Sequence, residues 1–117
     1  MKIIETEKAP KAIGTYSQAT KVNGFLFISG QIPLDPITME LVEGIENQIN
    51  QVFENIRQIL KADGMDFSNV VKLSVLLDDL NHFEKVNEIM ASIFSKPYPA
   101  RAAYEVSKLP KGSSVEI

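Results

Sequence analysis

The sequence contains no cysteine and only one histidine, His82. Without cysteine, the chain forms no disulfides or thiolate metal sites, and one histidine argues against a histidine-ligated metal or a Ser-His-Asp triad. No apolar run approaches the roughly 18 residues that a membrane-spanning helix requires. Repeats, low-complexity tracts and a targeting segment are also lacking. These absences favour a single domain over residues 1–117, with no cofactor, no metal and no membrane partner, in the cytoplasm.

An excess of positive charge is also missing. Lysine and arginine total 12 against 15 acidic residues, which gives a net charge of −3. Only two of these cations are arginines, Arg57 and Arg101. Binding to a phosphate backbone usually requires a basic patch or stripe, so the composition argues against a nucleic-acid partner.

A β-hairpin is predicted over residues 15–32, "TYSQATKVNGFLFISGQI". Asn23 and Gly24 supply the two positive φ angles of a type I′ turn, between β-prone segments. The resulting register pairs Val22 with Phe25, Thr20 with Phe27, Gln18 with Ser29 and Tyr16 with Gln31. After the hairpin, two prolines favour a loop over residues 33–42.

Apolar residues at steps of three and four predict helices over residues 43–64 and 80–94. Strands are predicted over residues 69–79, 101–106 and 113–117, and the first of these is expected to be buried on both faces. The polar stretches "ENQINQ" at 46–51 and "FEKVNE" at 83–88 predict solvated helix faces. The order β-β-α-β-α-β-β indicates an α+β domain, with a mixed sheet and both helices on one face. The strands carry too many apolar residues for a solvated second face, so we expect an oligomer.

Polar residues gather at one end of the hairpin. Alternation places Tyr16 and Ser29 on one face as diagonal neighbours, beyond an apolar end of the same face. A polar cluster beside apolar surface suits a small polar ligand. The alternative interpretation, a solvated sheet edge, is the commoner fate of exposed serine and glutamine.

Two charged residues are candidates for chemistry. Arg101 lies at the start of a predicted strand, where its guanidinium can grip a carboxylate with two parallel hydrogen bonds. The alternative is a surface salt bridge to Glu105 or Asp79. Glu116 alternates with apolar neighbours in the last strand, so its carboxylate can orient a water or exchange a proton. The alternative for Glu116 is an ordinary exposed strand residue.

Six stretches together resemble one family, in order and at matching spacing over essentially the whole chain. It is the reactive intermediate/imine deaminase family, also called RidA, YjgF or liver perchloric-acid-soluble protein family. The stretches are "KAIGTYSQA" at 11–19, "ISGQIPLDP" at 28–36, "NQINQVFENIRQIL" at 47–60, "FEKVNEIMASIF" at 83–94, "YPARAAYEVSKLPKG" at 98–112 and "VEI" at 115–117.

The resemblance implies a single imine deaminase domain with a chorismate-mutase-like fold. Three subunits would pack their sheets into a barrel-like centre, with ligand clefts between subunits. The implied reaction hydrolyses 2-aminoacrylate, its tautomer 2-iminopropanoate, and 2-iminobutanoate to 2-oxo acids and ammonia. No cofactor takes part, so the expected ligands are small imines and 2-oxo acids.

The family's site residues carry over by position. Arg101 matches the arginine that grips the substrate carboxylate, and Glu116 matches the glutamate that handles water or the imine. Tyr16 and Ser29 match the polar wall of the site, and all four residues are implied to be catalytic.

Gly30 and Ala103 match positions where the backbone approaches the ligand, and they join Arg101, Ser29 and Tyr16 in substrate binding. Ala103 stands where many members have cysteine. The sequence stops at Ile117, several residues before the family's usual end, so we expect a short last strand.

Two other functions compete with imine hydrolysis. Some family members are ascribed endoribonuclease activity or inhibition of translation, which a steep salt dependence of RNA binding would indicate. The third possibility is a non-catalytic binder of 2-oxo acids or a holdase, which would bind ligand without turnover.

Overall fold

A computed structural model describes residues 1–117, the whole of the sequence given. The order of elements is β-β-β-α-β-α-β-β, so the predicted α+β class is confirmed. One strand was missed, the first, because three residues are too few to show an alternating pattern. The elements are β1 (Lys2–Ile4), β2 (Ala19–Val22), β3 (Phe25–Ile28), α1 (Ile45–Ala62), β4 (Lys72–Leu77), α2 (Phe83–Ile93), β5 (Ala100–Glu105) and β6 (Val115–Glu116), with 3-10 turns at Phe67–Asn69, Leu80–His82 and Pro110–Gly112.

The strands form two groups of three. Strands β1, β2 and β3 are antiparallel neighbours in that order, whereas β4 lies between a parallel β5 and an antiparallel β6. The groups meet where Gln31 N–H donates to Ile117 O at 2.8 Å and Ile117 N–H donates to Gln31 O at 3.1 Å. These two backbone hydrogen bonds join the groups edge to edge, which gives the predicted mixed sheet.

The hairpin turn forms where the sequence predicts it. Asn23 and Gly24 have φ angles of 51° and 80°, as a type I′ turn requires. Val22 pairs with Phe25 as expected, and the chain remains paired as far as Ser29, whose N–H donates to Gln18 O at 2.9 Å.

The predicted pairing of Tyr16 with Gln31 is wrong. The regular ladder ends at Ala19 and Ile28, and Tyr16 lies outside it. Gln31 pairs with Ile117 instead, because after Ile28 the chain leaves β2 and runs beside β6. A long-range strand pairing therefore replaces the local one.

Both helices cover the same face of the sheet. The side chains of α1 and α2 form one core cluster with alternate residues of β4 and with Val115 of β6. Gly64, with a φ angle of 70°, follows α1 and ends it as predicted. The side chain of Asp79 caps the turn that leads into α2, since it accepts the N–H of Asn81 at 2.9 Å. No helix combines the length and the apolar character needed to cross a bilayer.

The opposite face of the sheet is uncovered in the single chain. Strand β4 alternates, with Leu73, Val75 and Leu77 buried and Lys72 and Ser74 exposed, so the expected burial on both faces is wrong for one copy of the chain. This outer face exposes large apolar side chains on five positions of four strands: Ile3, Val22, Phe25, Phe27 and Tyr104.

Candidate functional site

Arg101 is the second residue of β5 and lies beside Leu73 of β4. Since Leu73 is buried under the helices, the Arg101 side chain projects on the same, helix-covered side. Its Nη1 donates to Asn87 Oδ1 at 2.6 Å, and its guanidinium carbon lies 4.7 Å from the centre of the Phe83 ring. Nη1 also approaches Met90 Sδ at 3.5 Å. Three side chains of α2 therefore contact the guanidinium and hold it in place.

The positive charge of Arg101 has no carboxylate partner within the chain. The three salt bridges join other residues: Lys21 with Asp63, Arg57 with Glu54, and Lys85 with Glu88. Glu105 instead accepts the Leu80 N–H at 3.0 Å, and Asp79 caps the turn before α2. The salt-bridge interpretation of Arg101 is therefore wrong, because the guanidinium contacts Asn87, Met90 and the Phe83 ring and pairs with neither Glu105 nor Asp79.

An open cleft of about 650 Å³ lies against Arg101, between the start of α2 and the edge strand β5. Ala103 is two residues further along β5 and therefore on the same face as Arg101. Its small side chain leaves space in front of the cation. The cleft combines apolar and polar walls, and its lining residues are Leu80, Asn81, Phe83, Glu84, Arg101 and Ala103.

Glu116 lies on the other side of the sheet. It pairs with Leu76 of β4, while its neighbour Val115 is fully buried beneath the helices. The carboxylate is half-buried, and burial raises the pKa of Glu116. It also lies against Gly30, where an added Cβ would overlap the carboxylate. Gly30 therefore leaves room for this side chain, and the two residues form one corner of the molecule.

Ser29 precedes Gly30 in the chain, and one hydrogen bond connects it to the residue that follows Tyr16. Ser29 Oγ donates to Ser17 O at 2.6 Å, which fastens the residue after Tyr16 to the residue before Gly30. Tyr16 itself is 54% exposed, and its hydroxyl accepts the Ile13 N–H at a long 3.4 Å. Most of the Tyr16 ring is consequently available for contact.

Two glutamines next to these positions contradict the alternative interpretation of the hairpin, which was a solvated sheet edge. Gln18 and Gln31 are buried. The Gln18 amide donates to Thr6 O at 3.0 Å and to Pro10 O at 2.8 Å, and it accepts the Thr6 N–H at 2.8 Å. Gln18 thus ties the N-terminal segment to the hairpin, because its amide replaces the water those backbone groups would bind.

The chain brings the candidate residues together in two groups, not one. Arg101 and Ala103 share the helix-covered face at the β5 edge, whereas Glu116 and Gly30 lie at the other face. The register settles this division: Arg101 pairs with Leu73 and Glu116 pairs with Leu76. Those β4 residues are three apart, so their side chains point to opposite sides of the sheet.

Three further polar residues were missed, in stretches where the sequence predicted solvated helix faces or an apolar stripe. Asn87 bonds Arg101, and Gln48 and Asn55 are buried beneath segments that lead to Glu116 and Gly30. A signal for Asn55 existed, since it occupies a stripe position three residues after Val52 and four before Ile59. A polar residue at stripe spacing indicates a specific buried partner.

Comparison with known proteins relates the chain to one family. The sequence model of the endoribonuclease L-PSP family matches residues 6–117. The chain is 52% identical over 117 residues to the human 2-iminobutanoate/2-iminopropanoate deaminase. The aligned region covers 99% of this chain and 85% of the human protein.

Solved structures resemble the fold closely. RidA from an Antarctic Psychrobacter species matches with a TM-score of 0.96 and 52% identity, over 99% of this chain and 94% of RidA. Escherichia coli TdcF, crystallised with bound serine, matches with a TM-score of 0.94 and 37% identity, over 99% of this chain and 94% of TdcF.

We expect Gly30→Ala to lower the free energy of unfolding by about 0.5–1.5 kcal/mol, because the new methyl group would displace the Glu116 carboxylate from its position. Backbone strain adds nothing, since Gly30 is not among the residues with positive φ. In a Glu116→Ala background the same change should cost much less, and urea unfolding at equal protein concentrations measures both. Equal costs in the two backgrounds would refute the contact.

Proposed function

The chain belongs to the endoribonuclease L-PSP family, the YjgF/RidA family, and on this premise we propose that it is a 2-iminobutanoate/2-iminopropanoate deaminase. It hydrolyses the C=N bond of small 2-imino acids to give a 2-oxo acid and ammonia. The observation that carries the proposal is Arg101, a held cation without an internal carboxylate partner, at an open cleft.

Arg101 serves as the anchor for the substrate carboxylate. Hydrogen bonds between a guanidinium and a carboxylate fix the direction as well as the distance of the ligand. Contacts with Asn87 and Phe83 hold the guanidinium before substrate arrives, which reduces the entropy lost on binding. The serine bound to TdcF supports this assignment, because serine, like 2-iminobutanoate, carries a carboxylate next to a carbon bonded to nitrogen.

The complete site is assembled between copies of the chain in a homotrimer. Arg101 and Glu116 project from opposite faces of one sheet, so a small ligand reaches both only if a second copy supplies one of them. The apolar outer face supports association, since Phe25 and Phe27 are 60% and 58% exposed in the single chain. Continuous apolar surface of this kind is rarely left in water.

Glu116 acts on the water that attacks the imine. Glu116 takes a proton from the water as its oxygen adds to C2 and the C=N π bond breaks, and the nitrogen gains a proton to give a 2-hydroxy-2-amino acid. The hydroxyl proton then moves to the nitrogen as the C=O bond forms and the C–N bond breaks, which releases ammonia and the 2-oxo acid. The pKa of Glu116 is raised by burial, which brings its proton exchange closer to neutral pH and suits a general base. Tyr16 and Ser29 line the polar wall, and the backbone at Gly30 and Ala103 adjoins the ligand.

A coupled assay tests the proposed function. A dehydratase that releases 2-iminobutanoate is run with and without the chain, and formation of 2-oxobutanoate is followed. Binding of 2-oxobutanoate without acceleration would favour the non-catalytic binder, and salt-sensitive RNA binding would favour the ribonuclease. We also propose a cytoplasmic location, because a cysteine-free chain gains nothing from an oxidising compartment.

We expect Arg101→Ala to reduce kcat/KM for 2-iminobutanoate by about 100-fold, because two charge-assisted hydrogen bonds are lost. Arg101→Lys should recover little, since an ammonium cannot reproduce the two-pronged grip. Circular dichroism should show that both variants remain folded. Arg57→Ala is the control at the only other arginine, a partly buried partner of Glu54 that also stacks on Phe67. Turnover by Arg101→Ala close to that of Arg57→Ala would remove the carboxylate anchor.

Replacing Glu116 with glutamine should slow turnover strongly while binding of 2-oxobutanoate persists, because carboxylate binding depends on Arg101. The wild-type kcat should fall with decreasing pH through a pKa above the usual glutamate range, since burial disfavours the ionised form of Glu116. The glutamine variant should lack this acidic limb. Measurement of kcat across pH tests the acidic limb, and calorimetry tests 2-oxobutanoate binding. If the glutamine variant keeps the same acidic limb, the proton belongs to another group.

We expect wild-type chain to sediment as a trimer at micromolar concentration and Phe27→Glu to shift it toward monomer, with loss of turnover. A buried carboxylate at the subunit contact would be unpaired and costly, whereas in the single chain the position is exposed. Ile37→Glu is the matched control, because Ile37 is 90% exposed in a loop. A monodisperse wild-type monomer would contradict both the trimer and the shared site.

A further inference from the structure

Helix α1 carries a row of amides that the deaminase proposal does not use. Gln48, Gln51 and Asn55 follow one another at steps of three and four, so they lie on one helix face. Gln48 is 8% exposed and Asn55 is fully buried. Burying amides costs free energy unless their hydrogen bonds are satisfied, so the partners of this row indicate what it does.

At one end of the row, Gln48 holds the segment that leads to Glu116. Its Oε1 accepts the backbone N–H of Ser114 at 2.9 Å, and its Nε2 donates to Val42 O at 3.1 Å. Ser114 O in turn accepts the Asp78 N–H at 3.1 Å. Both backbone polar groups of Ser114, its N–H and its C=O, are therefore held, two residues before Glu116.

At the other end, Asn55 holds the segment that follows Gly30. Its Nδ2 donates to Leu34 O at 3.0 Å and to Ile32 O at 3.3 Å. Gln51 Nε2 donates to Asn55 Oδ1 at 2.9 Å, which orients the Asn55 amide. Ile32 is two residues after Gly30, just as Ser114 is two residues before Glu116. The two ends of the row therefore act at the same sequence distance from the two corner residues.

The two held segments meet in the Gln31–Ile117 backbone pair. Gly30 precedes one member of this pair and Glu116 precedes the other, so the pair sets where the carboxylate lies against the glycine. Gln48 and Asn55 are seven residues apart, about 10 Å along a rigid helix. The helix therefore fixes the separation between the points at which the two segments are held.

We propose that Gln48 and Asn55 are positioning residues that hold the Gly30–Glu116 corner in its working geometry. They touch no substrate and act through the backbone of residues 32–34 and 114. The proposal rests on the proposed function, in which Glu116 acts on water at C2. A small misplacement of a catalytic group is enough to slow a reaction while anchoring by Arg101 continues.

The test replaces Gln48 with methionine, which keeps the length and removes both hydrogen bonds. We expect kcat for 2-iminobutanoate to fall about tenfold, with affinity for 2-oxobutanoate within about twofold of wild type. Hydrogen exchange at the Ser114 and Ile117 amides should accelerate, because the segment loses its fixed point. Gln48→Asn, one methylene shorter, should act in the same direction and serves if the methionine variant does not fold.

Gln58→Met is the matched control, since Gln58 lies on the same helix and bonds only the exposed Glu54. It should leave turnover and exchange at both amides unchanged. The proposal is overturned if Gln48→Met resembles this control, or if turnover and ligand binding fall together with the folded fraction. If wild-type chain shows no deaminase activity, the proposed function fails, and exchange at Ile117 alone decides whether Gln48 holds the corner.

Discussion

The pair of backbone hydrogen bonds between Gln31 and Ile117 is the constraint on which the remaining architecture depends. It joins two three-stranded groups into one sheet and sets residues 30 and 116 side by side. Because a Cβ at Gly30 would overlap the Glu116 carboxylate, a larger residue at this joint would displace that carboxylate. The last strand is only two residues long, and contacts from α1 compensate for its few ladder hydrogen bonds.

The two charged candidates are held by opposite means. The guanidinium of Arg101 contacts an amide oxygen, a thioether and an aromatic face, none of which carries a charge that would pair with it. Glu116 has no cation beside it, and desolvation alone raises its pKa. These surroundings suit the proposed roles, in which Arg101 binds an anion and Glu116 exchanges a proton.

The sheet separates these two groups, and the proposed association of chains would bring them together. The same parity that buries Leu73 and exposes Ser74 places Arg101 on one side and Glu116 on the other. It also leaves the aromatic residues of β3 uncovered. The separation of Arg101 from Glu116 and the apolar outer face are thus two consequences of strand register, and both agree with the proposed trimer.

The sequence by itself determined those features of the fold that depend only on residues close together in the chain. The turn at Asn23 and Gly24, the apolar stripes of both helices and the parity of Glu116 against Val115 follow from local stereochemistry and periodicity. The motifs also indicated Arg101 and Gly30. Only the tertiary structure decided the pairing of Gln31 with Ile117, the buried partners of Gln48 and Asn55, and the uncharged groups that contact Arg101. Each of these joins residues distant in sequence, and a polar side chain shows no sign in the sequence of whether water or a remote backbone group will satisfy it.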